Sequence, residues 1–330
     1  MNKFKTILVS IFLLIALFCF NGCSTEISSL PASSGKTGEL LFIIDKNQWD
    51  GLAGDSIRQT FGSEYLGLGQ PEPMFNLAHI EERAFTKMFQ SHRNIFIVEI
   101  KPEQQTPLYE VRKNVWAQPQ IVVKIAAATS NEFLEELSAR HAQIIRLFFE
   151  NERERMLRAF KREEDINITN TLKKDYGLSL TIPKGYFIAK QTKDFCWIRR
   201  ETDETSIGLI IHLKDYSDAG SFNFEQIIDN RNSITKAHIP GPREGSYMQV
   251  SQKVVQPFSK EINFKGMYAV ETRGLWDLHG DFMGGPFINY TFVDENTNKL
   301  ITLDAFVYAP RFNKRDYVIQ AEALIYSLEL

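Results

Sequence analysis

The residues best equipped for chemistry gather between Gly274 and Pro286. Trp276, His279, Phe282 and Met283 stand among four glycines, with Asp277 and Asp281 alongside. Glycine lets the backbone follow tight paths, and aromatic rings beside carboxylates and an imidazole can grip a sugar or a peptide. Asp277, His279 and Asp281 could also hold a metal ion. The plainer reading, which we favour, is a hairpin connecting two strands, its aromatics folded onto the sheet edge and its acids solvated. The loop Ile239-Pro-Gly-Pro-Arg-Glu-Gly245 reads as a second exposed turn.

Familiar catalytic patterns are missing. The chain has no G-x-S-x-G elbow, H-E-x-x-H pair or P-loop, and Gly67-Leu-Gly69 runs into Gln70-Pro71 instead of a dinucleotide fingerprint. Histidines 79, 92, 141, 212, 238 and 279 are scattered, none four residues from another. No cofactor and no metal are expected. Glu271 and Asp304 could pair as carboxylates if their strands are neighbours, although acids on the open face of a sheet are usually solvated. With Asp277 and Asp281 they form the basis of an alternative reading, an envelope hydrolase acting on peptidoglycan or glycan.

The amino terminus carries a different message. Lys3 and Lys5 precede an apolar run, Ile7 to Phe20, and Asn21-Gly22-Cys23 follows. At about 1.5 Å per residue this run reaches roughly 21 Å, short of a hydrocarbon core of about 30 Å. A positive start, a short apolar core and small exit residues describe a secretory signal. Residues 1–22 are therefore expected to be a lipoprotein signal peptide. Cys23 is expected to be the lipid (palmitate) attachment site, although Phe20 stands where Leu or Val is usual. Residues 23–38, rich in serine and glycine, are expected to form a flexible tether. The expected location is the bacterial cell envelope, anchored to a membrane and facing the periplasm or cell surface.

The chain bears 38 basic and 41 acidic side chains, net −3. Loss of Lys3 and Lys5 with the signal makes the body −5, which argues against nucleic acid as a partner. With Cys19 removed and Cys23 acylated, Cys196 is left alone. It shares a strand face with Ile198 and is expected to be a buried, inert thiol.

The elements that would position these residues fall into two halves. Glu39–Asp45 reads as a buried strand, Trp49–Phe61 and Glu81–Gln90 as helices, and Asn94–Ile100, Tyr109–Ala117 and Gln120–Ala128 as strands. Thr129-Ser-Asn-Glu132 forms a capping box opening a helix that runs from Ser130 past Arg162. Its densely charged part, Glu150 to Asp165, reads as a solvated face with a Glu154–Arg158 pair. After Asp175 strands dominate, including Phe195–Arg200, Thr205–Lys214, Met267–Trp276, Phe287–Asp294 and Lys299–Ala309. Phe222–Thr235 and a closing helix from near Asn313 would cover them.

Gly35–Asp45, Pro71–Leu77 and His92–Val98 resemble an uncharacterised family of bacterial envelope lipoproteins, domain of unknown function 4837, over nearly the whole chain. The resemblance implies location and length, not chemistry. Ile182-Pro-Lys-Gly-Tyr186 and the closing Ser327-Leu328 are similar to motifs of the Mog1/PsbP-like fold, which implies a binding role for the second half. The expected fold is α+β, two domains (39–175 and 176–330), each a mainly antiparallel sheet covered by helices, joined through the long helix. The expected function is a non-catalytic ligand- or partner-binding module, its partner an envelope protein or glycan. The alternatives are the hydrolase or a structural subunit of an envelope assembly.

Overall fold

The computed structural model describes residues 30–330, of which 32–330 make one compact unit. The export segment, Cys23 and the start of the serine-rich stretch lie outside the described residues. The rest of that stretch does not hang free, contrary to the expected tether. Ala32 and Ser34 bridge to Gln118 and His92, Ser33 donates to Pro119 O at 2.6 Å, and Arg155 donates to Ser33 O at 2.8 Å. Arg93 Nη2 reaches Gly35 O at 2.5 Å. Short polar side chains here exchange water for backbone and arginine partners, which fixes the segment.

The first sheet has the order β2-β1-β3-β5-β4. Strand β1 (Glu39–Ile43) pairs in parallel with β2 (Asn76–Ile80) and β3 (Asn94–Ile100). β3 pairs in parallel with β5 (Ile121–Ala127), and β4 (Leu108–Lys113) runs antiparallel at the edge. The expectation of a mainly antiparallel sheet is therefore wrong for this half. The reason lies in the connections. The chain leaves β1 through α1 (Lys46–Trp49) and α2 (Leu52–Phe61), so it returns by a crossover, and crossovers bring strands back in parallel. The apolar runs in β1, β3 and β5 bury both faces, as parallel strands do. Phe42, Phe96 and Val123 enter the main core, and Leu41, Ile43, Ile95 and Val122 pack on the other side. Between β2 and β3 the expected helix shrinks to a 3₁₀ turn (Glu82–Ala84) and the single-turn α3 (Lys87–Gln90).

The long helix α4 runs from Ser130 to Arg162, about 50 Å. Thr129 Oγ1 accepts from Glu132 N at 3.3 Å, and Glu132 Oε2 accepts from Ala128 N at 3.0 Å, so the capping box operates one residue wide. Phe133, Leu137, Ile144 and Phe148 cover the first sheet, while Phe149, Met156 and Phe160 pack against the second core. The charged stretch is not uniformly solvated. Glu152 is fully buried, held by Arg93 at 2.6 Å and Asn94 at 2.8 Å. Arg153 lies 4.2 Å over the Tyr326 ring. Glu154–Arg158, on the outer side, forms the expected exposed pair at 2.5 Å.

α5 (Ile166–Tyr176) was expected in the first half, but its buried Ile168, Leu172 and Tyr176 belong to the second core, so the change of core falls near residue 163. The second sheet is an antiparallel half-barrel of order β10-β11-β12-β13-β8-β7-β6, with β9 also pairing β11. Its strands are β6 (Tyr186–Gln191), β7 (Phe195–Glu201), β8 (Ser206–Asp215) and β9 (Tyr247–Ser251). β10 (Phe258–Phe264), β11 (Met267–His279), β12 (Gly284–Asp294) and β13 (Lys299–Tyr308) follow. One face, with Cys196, Leu209, Tyr290 and Leu303, packs on α5 and α7 (Arg315–Tyr326). The other, with Phe195, Trp276, Phe287 and Phe306, is partly covered by α6 (Phe224–His238).

Candidate functional site

Strand alternation sorts the second sheet into rows on the α6 side. Trp197, Ile210, Asp304, Asn289 and Thr272 are register partners across five strands. The next row holds Arg199, Gly208, Phe306, Phe287 and Gly274. The row after it begins with Glu201, Ser206 and Tyr308, and Trp276 lies opposite Gly285. α6 packs on the first of these rows and, through Arg231 over Phe287, on part of the second, and it ends at His238.

What remains is a cleft of about 360 Å³. Trp197, Trp276, Phe306 and Tyr308 form its floor, Ile239–Pro242 and Met248 one wall, and Leu278 and Met283 another. Arg199 and the β7–β8 turn (201–205) make the lip. Trp276 meets Phe306 edge to face at 5.6 Å and donates its indole N–H to Val307 O at 3.2 Å. Glycines make room for these rings. A Cβ at Gly208 would stand 2.2 Å from Phe306 Cζ, and one at Gly285 would stand 2.0 Å from Val307 O.

Behind the aromatic floor sits a buried ion pair. Arg231 on α6 binds Asp304 through Nε at 2.8 Å and Nη2 at 3.2 Å, and Asn289 Nδ2 adds a bond of 3.0 Å. The guanidinium lies 3.9 Å over the Phe287 ring. Burial pushes the Asp304 carboxyl up, against the pull of Arg231 and Asn289. The same region leaves Arg231 Nη1, Thr272 Oγ1 and Thr302 Oγ1 buried with no protein partner, a setting suited to ordered water.

The residues singled out from sequence disperse around this cleft. Trp276 is in its floor. Asp277 points to the other face of β11, bonded by Gln249 at 3.0 Å and Lys253 at 2.8 Å. Partial burial raises its carboxyl, but bonds from Lys253, Gln249 and Ser251 prevail and hold it below its usual value. His279 stacks on Tyr247 at 4.9 Å. Asp281 accepts from Phe282 N at 2.7 Å and lies 3.8 Å from Arg243. Phe282 is 93% exposed at the hairpin tip. The loop is thus a hairpin connection, and among the described residues no group of three or more His, Cys, Asp or Glu could hold a metal ion.

Glu271 and Asp304 do not pair. They lie on opposite faces of the sheet, on strands separated by β12. Nor are they solvated: Glu271 is bound by Arg273 at 2.6 Å, Lys260 at 3.1 Å and the Tyr290 hydroxyl at 2.9 Å. Cys196 is fully buried, and burial pushes its thiol up to about 12.

Sequence reasoning missed Trp197, Phe306, Tyr308 and Met248 as site residues. Two signals were present. Placing Cys196 and Ile198 on one face puts Trp197 and Arg199 on the other. Gly208 sits inside an apolar strand, where glycine marks close approach of another group.

No curated protein matches the chain. Among solved structures, the Saccharomyces cerevisiae Ran-binding protein Mog1p is similar over 47% of this chain and 91% of its own, at 9% identity and a TM-score of 0.30. A point mutant of Mog1 matches at 9% identity and 0.29, covering 47% of this chain and 92% of that one. The resemblance to domain of unknown function 4837 does not extend over the whole chain: that model matches only the second half, and the segments expected to carry it lie in a different match. The chain thus joins two domains of unknown function, DUF8532 over residues 33–161 and DUF4837 over residues 165–327.

Proposed function

We propose that this protein is a ligand-binding module of the bacterial cell envelope, held to a membrane by lipid on Cys23, with the aromatic cleft of the second half as its binding site. The observation that carries the reading is the open end of the half-barrel. Two tryptophans, a tyrosine, a phenylalanine and two methionines face a 360 Å³ space that α6 stops short of filling. That volume lies at the lower end of the range for small-ligand sites, which are mostly apolar with a few polar groups at fixed places. Methionines adapt to differently shaped ligands.

Binding is tested by following tryptophan fluorescence of the detergent-solubilised full-length protein during titration with fractionated envelope extracts. A fraction that shifts the wild-type signal and leaves Met283→Asp unmoved supports the cleft. If no peptide or glycan fraction acts, the reading falls. Anchoring is tested by mass spectrometry of the mature amino terminus, and an unacylated Cys23 removes it.

The hairpin tip supports a second reading, docking of an envelope protein. Phe282 is almost fully exposed beside Arg243, whose guanidinium lies 5.7 Å from the ring. Exposed aromatic and arginine side chains are frequent anchors at interfaces. Pull-down with Phe282→Ser tests this, and recovery of the same proteins by both forms excludes the tip.

A further inference from the structure

We infer that the cleft selects an amphipathic cation, a small ligand or side chain with an apolar body and a positively charged end; this rests on the cleft being the binding site. The floor argues for the apolar body. Trp276 and Phe306 are buried and meet at 72°, so neither presents the flat open ring face on which a sugar stacks. They line a slot instead.

The lip argues for the cation. Of the charged groups lining the cleft, three are acids, Glu201, Asp203 and Glu204, and one is a base, Arg199. Arg199 is bound to Glu201, so those two charges offset each other. Glu204 faces Arg311 at 3.5 Å, but both side chains are largely exposed, and such pairs are weak and screened. Among the described residues Asp203 has no ion-pair partner. The lip is therefore left net negative beside an apolar slot, which favours a ligand whose charged end is an ammonium or guanidinium group. The Trp197 ring face is already taken by the Arg199 guanidinium at 5.0 Å, so the cation is selected by the lip and not by that ring.

Three probes sharing one ring and differing at the polar end test the inference: 2-phenylethylamine, 2-phenylethanol and 3-phenylpropanoate. Each is titrated into the full-length protein while tryptophan fluorescence is read. The amine should bind roughly fivefold tighter than the alcohol, the size of one partly screened ion pair, and the carboxylate should bind weakest. Added salt should erase the difference. The double variant Asp203→Asn, Glu204→Gln should lose the preference, so that the amine and the alcohol bind alike. An amine that binds no tighter than the alcohol, or a carboxylate that binds tightest, overturns the charge inference and leaves the cleft standing. If none of the three moves the signal, the cleft itself is refuted and this inference with it.

Discussion

Glu72 and Arg315, 243 residues apart in sequence, meet at the first turn of α7: the Glu72 carboxylate accepts from the backbone N–H of Arg315 at 2.9 Å and from that of Lys314 at 2.6 Å. A loop of the first half thereby caps a helix of the second, supplying what no side chain of the helix does. The return contact comes from the Arg315 guanidinium, which donates to Pro73 O at 2.8 Å. Free N–H groups and the helix dipole both favour an anion at this place.

Replacing Glu72 with alanine should therefore destabilise the whole unit, not only one half. Two buried donors lose their acceptor, which costs about 1–3 kcal/mol. Chemical denaturation checks the size. A loss below about 0.5 kcal/mol, the range of ordinary surface changes, would show that the cap is dispensable.

The second link between the halves, the bond from Arg273 to the Tyr65 hydroxyl, is built on a buried ionic cluster that predicts a pH dependence. Arg273 joins Glu271 at 2.6 Å, Glu322 at 3.1 Å and the Tyr65 hydroxyl at 2.6 Å. Burial pushes the Glu271 carboxyl up, but Arg273 and Lys260 outweigh it and lower the group from 4.5 to about 2. A carboxyl lowered by folding adds stability above its unfolded value and loses it as pH falls toward the folded one. That contribution, about 3 kcal/mol, should be complete above pH 4.5 and gone near pH 2. Thermal melts across this window should show an acid limb that Glu271→Gln flattens. Equal slopes for both proteins would contradict the assignment.

How much of this could be read from sequence depended on whether the determining contact was local. The capping box at Thr129 and Glu132 fixes the start of α4 through neighbours in the chain, and the helix begins and ends where the apolar stripe requires. Alternation along β11, which separates Thr272 and Trp276 from Glu271 and Arg273, is local in the same way. The parallel first sheet was not legible, because a short apolar run such as Leu40–Ile44 looks the same whichever way its partner runs. The buried Glu152 was not legible either, since its partners, Arg93 and Asn94, are distant in sequence. The cleft fell between these cases. Its rings come from three strands brought together by register, and no single segment announces them.

Cys196 offers a direct check on the core. Its thiol is buried against α5 and pushed up to about 12 by burial. Since the thiolate is the reactive form, iodoacetamide should label the native protein at least about a hundredfold more slowly than the unfolded chain. A native rate within about tenfold of the unfolded rate would mean that this face opens readily.

Gly208 ties the fold to the cleft most directly. It stands between Arg199 and Phe306 in register, and an added Cβ would press on the Phe306 ring at 2.2, 2.4 and 2.8 Å. That ring cannot retreat freely, because Trp276 meets it at 5.6 Å and Trp197 at 6.3 Å. Gly208→Ala should therefore either tilt Phe306 into the cleft or strain the strand, at a cost of about 1–3 kcal/mol. The two outcomes separate in a double variant. If tilting is the cause, Phe306→Leu should restore both stability and 2-phenylethanol binding to the Gly208→Ala protein, because the smaller side chain frees the contested space. If backbone strain is the cause, stability stays low whatever occupies position 306. Wild-type binding and stability in Gly208→Ala alone would mean that the ring floor is not the constraint on the cleft, because no other group stands that close to the added methyl.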